Sequence, residues 1–135
     1  MRVELIRTEG YGREAEIEVD GVRLRVVDAV SEPGEAATPG RIDAPIFTAV
    51  IVAPASWAQA VAENPDRVKR LEPRFGWRHR GLGEITSVSP LRADLGVLDL
   101  ELSLPADPAR EPGDFVALEI DRIRMARPRP PKGRV

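Results

Sequence analysis

The sequence predicts a mainly β fold, a small antiparallel barrel or sandwich of about seven strands with one short helical insertion. Two features of the chain support this prediction. Several short segments alternate apolar and charged residues with a period of two, which is the pattern of a half-buried strand. Helix-start signals stand out in one segment, which begins at Ser56 and interrupts the succession of strands.

The segment 13–28 predicts a β-hairpin with a two-residue turn at Asp20-Gly21. A register that places Val19 opposite Val22 puts the apolar residues of both strands on one face. The same register sets glutamates against arginines on the other face, and these pairs are Glu18 with Arg23 and Glu16 with Arg25. Because one register satisfies both kinds of pair, it is the one expected for an antiparallel ribbon.

Further strands are predicted on both sides of this hairpin. Segment 2–7 alternates apolar and charged residues, whereas 31–45 is rich in proline and glycine and predicts a loop. Segment 46–52 is almost continuously apolar and β-branched, which indicates a strand at the centre of the sheet, covered on both faces. Three later strands are predicted from alternation, namely 84–89, 97–104 and 115–125, the last with a bulge near Asp121 or Arg122.

The helical insertion is predicted to begin at Ser56, which is followed by Gln59 in the spacing of a capping box. Asn64-Pro65 suits the start of a second helical turn that ends near Leu71, because a proline two residues later disfavours helix. The glycines of segment 80–83 are expected to form a turn, since they do not open a helix as a phosphate loop would.

The predicted order of elements, strands followed by one helix and then further strands, is similar to that of the OB-fold. This is a topological analogy, because no segment carries a family motif and such barrels host unrelated functions. One β-rich domain is expected over residues 1–125, followed by a basic, proline-rich flexible tail over 126–135.

Composition excludes several kinds of chemistry. The chain has no cysteine and a single histidine, His79, which removes thiolate catalysis, zinc fingers and multi-histidine metal sites. We therefore predict no catalytic residue, no metal site and no cofactor, although the composition leaves open a magnesium or calcium site built from oxygen ligands alone. No apolar run approaches the roughly 18 residues of a membrane span, so a cytoplasmic protein without membrane contact is expected. The preference for arginine over lysine favours a high-GC, bacterial source.

The formal charge of −2 conceals two basic segments in an otherwise acidic chain. Residues 67–80 carry six basic groups and one acidic group, and residues 122–135 carry six basic groups and no acidic one. The first segment also contains two aromatic residues, and cations interleaved with aromatics are typical of macromolecular binding surfaces. The predicted binding residues are Arg67, Lys69, Arg70, Arg74, Phe75, Trp77, Arg78, His79 and Arg80.

These features predict a non-enzymatic binding module that docks a protein partner through residues 67–80. An acidic partner is expected, because arginine pairs two-fold with carboxylates. Single-stranded nucleic-acid binding by an OB-like barrel is the first alternative, although the acidic body counts against it. A small enzyme or small-molecule binder is the second, and it depends on outward carboxylates within 14–18 and 99–101 meeting in the fold. The sequence leaves open whether Phe75 and Trp77 lie in the core or at the surface.

Overall fold

The computed structural model describes residues 2–52, 56–103 and 110–128. It shows a mainly β protein in which five strands close into a barrel, and this confirms the predicted fold class. In chain order the elements are β1 (Val3–Thr8), β2 (Glu14–Val19), β3 (Val22–Ala29), β4 (Gly40–Ile42), β5 (Ile46–Val52), α1 (Trp57–Ala62), β6 (Arg70–Pro73), β7 (His79–Val88), β8 (Leu91–Asp94), β9 (Asp99–Leu102) and β10 (Phe115–Ala126). Strands β4, β6 and β8 are additional to the predicted ones.

The barrel closes because β10 is long enough to pair with two different strands along the same side. The first half of β10 is antiparallel to β7, and its last residues are parallel to β3. On the other side of β10 the sheet continues through β5, β9 and β8 back to β7, which completes the ring. Strands β3, β2, β1 and β4 extend the sheet beyond β10, and β6 pairs with the first half of β7.

Hairpin β2–β3 adopts the predicted register along its whole length. The turn residues Asp20 and Gly21 have φ angles of 48° and 87°, a left-handed conformation that glycine adopts without steric cost. On the outer face the predicted ion pair of Arg23 with Glu18 is present at 3.7 Å. The predicted ion pair of Arg25 with Glu16 is not formed, because Arg25 pairs with Glu14 at 3.3 Å and Glu16 pairs with Arg23 at 2.8 Å. The predicted bulge in β10 is also present, since the β5 register shifts between Ile120 and Arg122.

Helix α1 begins as predicted but is shorter. The Ser56 Oγ accepts a hydrogen bond at 3.0 Å from the backbone N–H three residues later. The predicted second helical turn is wrong, because the buried Asn64 side chain organises a loop instead. Its Oδ1 accepts from Val68 N–H at 2.9 Å, and its Nδ2 donates to the Val116 carbonyl of β10 at 3.1 Å. Leu71 consequently lies in strand β6.

Residues 80–83 lie in the first half of β7, so the turn predicted there is wrong. A Cβ atom at position Gly83 would lie 2.3 Å from the Asp94 carbonyl oxygen and 2.5 Å from the Leu95 side chain. Real Cβ atoms do not approach other atoms so closely, and a larger residue would force the strands apart. The glycine is therefore required by packing across the barrel.

Strand β5 lies between β10 and β9, but only one of its faces is covered, contrary to the prediction. Phe47 and its alternate neighbours point into the core, whereas Ile46, Val50 and Val52 are 36 to 38% exposed on the outer face. The β-branched composition of this segment therefore reflects strand propensity and not burial on both sides.

Strand β10 ends at Ala126, and the Arg127 Nε donates to the Val30 carbonyl at 3.3 Å. The greater part of the predicted tail, from residue 129 onwards, lies outside the described residues. Within the ranges that the structure covers, no helix has the length and apolar character needed to cross a membrane.

Candidate functional site: the 74–78 loop

The candidate site is the loop of residues 74–78, which connects β6 to β7 within the basic segment. Two backbone hydrogen bonds close it. The Arg74 N–H donates to the Arg78 carbonyl at 2.8 Å, and the Arg78 N–H donates to the Phe75 carbonyl at 3.1 Å. A short loop held by its own hydrogen bonds on a rigid sheet presents its side chains in a defined arrangement.

Phe75 is 91% exposed, more than any other large apolar side chain in the described part of the chain. The protein has only six aromatic residues, so one of them is placed in water at a loop tip. Covering a phenylalanine side chain is worth about 1.5–3 kcal/mol, which a partner with an apolar pocket recovers on binding. Phe75 therefore has the property of an interface anchor.

Trp77 is half-buried and connects the loop to the rest of the sheet. The Arg122 guanidinium carbon lies 5.8 Å from the centroid of the indole ring, within the range of a cation–π contact. Trp77 also lines a cavity of about 390 Å³ together with Arg13, Glu14 and Arg25. Trp77 is thus part of the structural support of the loop.

A groove separates the loop from hairpin β2–β3. It consists of two adjoining cavities of about 390 Å³ each, which share Arg25 and Gly76 in their linings. On the side of the groove formed by the hairpin, Arg25 Nε lies 3.3 Å from Glu14 Oε1, and Arg23 pairs with Glu16. The hydrogen bond from Arg23 also lowers the pKa of Glu16. The groove is therefore lined by both signs of charge and not by a continuous positive surface.

Of the four cations of segment 67–80 that lie outside the loop, Lys69 and Arg80 face acidic side chains of other strands. Lys69 Nζ lies 2.9 Å from Asp94 and 3.3 Å from Glu84. The pKa of Lys69 is raised, mainly by the hydrogen bond to Asp94. Arg80 lies 3.2 Å from Glu119 on β10. The remaining contacts are those of Arg70 with Glu72 at 3.8 Å, of Arg78 with Asp121 at 3.9 Å, and of the Arg67 guanidinium with the Phe115 ring at 4.9 Å.

His79 was predicted to be a binding residue at the surface, and this prediction is wrong because the side chain is buried. Its side chain is 2% exposed, and Nδ1 lies 3.0 Å from the Trp77 carbonyl oxygen. Burial lowers the pKa of His79, although the hydrogen bond with Trp77 acts in the opposite direction. His79 is consequently a neutral core residue at the start of β7.

Of the nine predicted residues, the structure brings Arg74, Phe75 and Arg78 together on the exposed part of the loop. Arg74 forms no ion pair with any residue in the described ranges. The sequence did not indicate the opposite wall of the groove, which is formed by Glu14 and Arg25 and lies about fifty residues earlier in the chain. Only the fold brings these segments together, so no local pattern contained that signal.

The three glutamates of segment 14–18 face outward and form ion pairs with arginines of β1 and β3. Among the residues that the structure describes, no group of three or more His, Asp or Glu side chains is arranged to hold a metal ion.

Neither protein-family models, nor curated protein sequences, nor solved structures give a significant match to this chain.

Proposed function

We propose that this protein is a non-enzymatic binding module that docks an acidic protein partner through the 74–78 loop. The observation that carries the proposal is the exposure of Phe75 on a loop closed by its own backbone hydrogen bonds. Phe75 inserts into an apolar pocket of the partner, and the neighbouring Arg74 pairs with a carboxylate at the rim of that pocket. The arginine-rich, cysteine-free composition supports a bacterial cytoplasmic setting.

The order of the loop favours binding. A segment that already has its bound shape loses less conformational freedom on association, and this leaves more of the contact energy for affinity. The cations on either side, Lys69 and Arg80, are engaged within the protein and hold β6 and β7 in place. Contact with the partner is therefore concentrated on Arg74, Phe75 and Arg78.

The nucleic-acid alternative receives less support from the same residues. A surface for single strands combines a positive groove with several aromatic side chains on which bases stack. Here only one aromatic of the segment is fully exposed, and glutamates 14 and 16 line the adjacent groove. A phosphate entering this groove would meet carboxylates that already hold the arginines.

The proposal is tested by placing the photoreactive residue p-benzoylphenylalanine at position Phe75 and irradiating cells that express the protein. The matched control carries the same residue at Val88, which is exposed at the far end of β7. We expect a discrete covalent adduct with one protein from position 75 and none of the same mass from position 88. Equal adduct patterns from both positions would overturn the proposal.

The crosslinked protein is then titrated calorimetrically with the wild type and with single variants. Phe75→Ala is expected to weaken binding by about 2 kcal/mol or more. Arg74→Glu should also weaken binding, and its effect should be larger at low salt than at high salt, because salt screens the interaction between charges. Arg41→Glu on β4 is the matched charge control and should leave the affinity unchanged. If a labelled oligouridine binds at physiological salt and loses affinity with Phe75→Ala, the loop belongs to nucleic-acid recognition instead.

A further inference from the structure

The outer face of the barrel across β9, β5 and β10 carries three rows of side chains with different character. The middle row, on β5, is apolar except for Thr48, and its three large side chains are between 36 and 38% exposed. The outward side chains of β9 are acidic, and those of β10 opposite Thr48 and Val50 are basic, whereas Glu119 of β10 lies opposite Val52. The side chains concerned are Asp99 and Glu101 on β9, Ile46, Val50 and Val52 on β5, and Arg122 and Arg124 on β10.

The strand register places opposite charges symmetrically about the middle row. Thr48 pairs with Arg124 on β10 and with Glu101 on β9. Because neighbouring strands lie about 4.8 Å apart, the α-carbons of these two charged residues are roughly 10 Å apart, with Thr48 between them. Neither Glu101 nor Arg124 forms an ion pair with another residue in the described parts of the chain. Their neighbours do, since Asp99 lies 3.6 Å from Arg92.

We propose that this face joins two copies of the chain in a symmetric dimer. In such a dimer the same patch of both copies meets, and the two-fold axis lies in the plane of contact. If that axis runs along β5, the two apolar rows face each other and the charged residues level with Thr48 meet residues of opposite charge in the other copy. An axis across the strands would place like charges opposite one another. The charge layout therefore selects the first orientation, in which Glu101 of each copy faces Arg124 of the other.

A second copy fits this face better than an unrelated partner because the charges of the face on either side of Thr48 are complementary to themselves. An exposed apolar strip flanked by polar rows is typical of a protein contact. The contact is only three strands wide, so the dimer is expected to be weak and to dissociate on dilution and at high salt. This inference is independent of the role proposed for Phe75.

Sedimentation equilibrium of the full chain over a wide concentration range tests the dimer. The wild type is expected to pass from monomer to dimer as concentration rises, with weaker association at high salt. Val50→Glu introduces a charge into the apolar row, but it lies opposite Arg122 across the strand pair, which favours folding. We expect it to raise the dissociation constant by about ten-fold or more, while Val88→Glu, an equally exposed valine outside the face, leaves it unchanged.

Charge reversal tests the orientation. Glu101→Arg alone and Arg124→Glu alone should each weaken self-association, because like charges then meet twice in the interface. An equimolar mixture of the two variants should form a heterodimer, since both contacts again join opposite charges. Circular dichroism confirms that each variant is folded. A wild type that stays monomeric at every concentration, a dimer that Val50→Glu leaves intact, or a mixture that does not associate would each overturn the proposal.

Discussion

Two hairpins of this molecule reverse the chain in opposite ways. Hairpin β2–β3 turns in two residues, and the charged side chains on its outer face form ion pairs between its two strands. Hairpin β6–β7 turns in the five residues 74–78 and presents Phe75 to solvent with 91% of its surface exposed. The first therefore directs its side chains to contacts within the fold, and the second leaves the Phe75 side chain free for a contact outside it.

Because of this difference, stability and binding can be measured separately in this protein. Substitutions in hairpin β2–β3 should act mainly on the free energy of unfolding, whereas those at the tip of β6–β7 should leave it unchanged and act on association. Measured side by side, the two hairpins serve as controls for one another.

The largest effect is expected from the inward row of hairpin β2–β3. Ile17 is fully buried, so Ile17→Ala should lower the free energy of unfolding by roughly 2–5 kcal/mol through lost burial and the cavity left behind. Urea titration followed by circular dichroism measures this loss. Val22→Ala, in the same hairpin but 45% exposed, is the control and should cost far less. Equal losses from the two variants would show that this hairpin does not contribute to the core.

A smaller effect is expected at the turn of the same hairpin. Gly21 has a φ angle of 87°, which a β-branched residue does not tolerate. Gly21→Val should therefore lower the free energy of unfolding by on the order of 1 kcal/mol or more. Gly21→Asn is the control, because asparagine accepts left-handed conformations more readily. An asparagine variant as unstable as the valine variant would contradict this account of the turn.

The elements that the sequence predicted correctly are those whose causes are local. The register of β2–β3 depends on a turn of two residues and on the alternation around it, and the start of α1 depends on the Ser56 side chain. The bulge in β10 was visible as a change of phase within one strand. In each case the residues that decide the structure lie within a few positions of one another.

The errors have non-local causes. Asn64 leaves the helical path because its side chain bonds to the Val116 carbonyl, fifty-two residues later. Gly83 is needed because β8 approaches it closely, and an apolar segment such as β5 does not reveal that only one face is covered. These outcomes depend on which strands become neighbours, and that information is distributed over the whole chain.

The candidate site was predicted in outline only. The composition of segment 67–80 indicated a binding surface, but it did not distinguish Phe75, which is exposed, from His79, which is buried. Nor did it show that Lys69 and Arg80 would meet acidic residues of β8 and β10. Strand pairing decides these contacts. In the structure the candidate binding surface is therefore smaller than the predicted segment and consists of the 74–78 loop.

Each hairpin also contributes one buried titratable group. In the β2–β3 hairpin this is Asp28, near the end of β3. Burial alone would raise its pKa, but hydrogen bonds from the Ser31 and Thr8 hydroxyls and from the backbone N–H groups of Ser31 and Val30 together lower it below 3.8. In the β6–β7 hairpin it is His79, whose pKa is lowered below 6.5 by burial.

Both groups bind a proton more readily in the unfolded chain, so both predict a loss of stability on acidification. The contribution of His79 to the free energy of unfolding is present above pH 6.5, the pKa of histidine in the unfolded chain. It is lost as the pH falls through the lower pKa of His79 in the folded protein. That of Asp28 is present above 3.8 and is lost at more acid pH. Urea titrations at a series of pH values measure both losses of stability. The loss assigned to His79 should be absent in His79→Gln, and the loss assigned to Asp28 should be absent in Asp28→Asn. A wild type whose stability rises between neutral pH and pH 5 would contradict this prediction.

The smallest effect on stability is expected at the tip of the 74–78 loop. Phe75 makes almost no contact that unfolding would remove, so Phe75→Ala should change the free energy of unfolding by no more than about 0.5 kcal/mol. Trp77→Ala is the matched comparison two residues away. It should cost more, about 1–3 kcal/mol, because Trp77 is half-buried and stacks with Arg122. If Phe75→Ala were as destabilising as Trp77→Ala, the loop would resemble hairpin β2–β3 in directing its aromatics inward. The docking proposal would then lose the exposed anchor on which it depends.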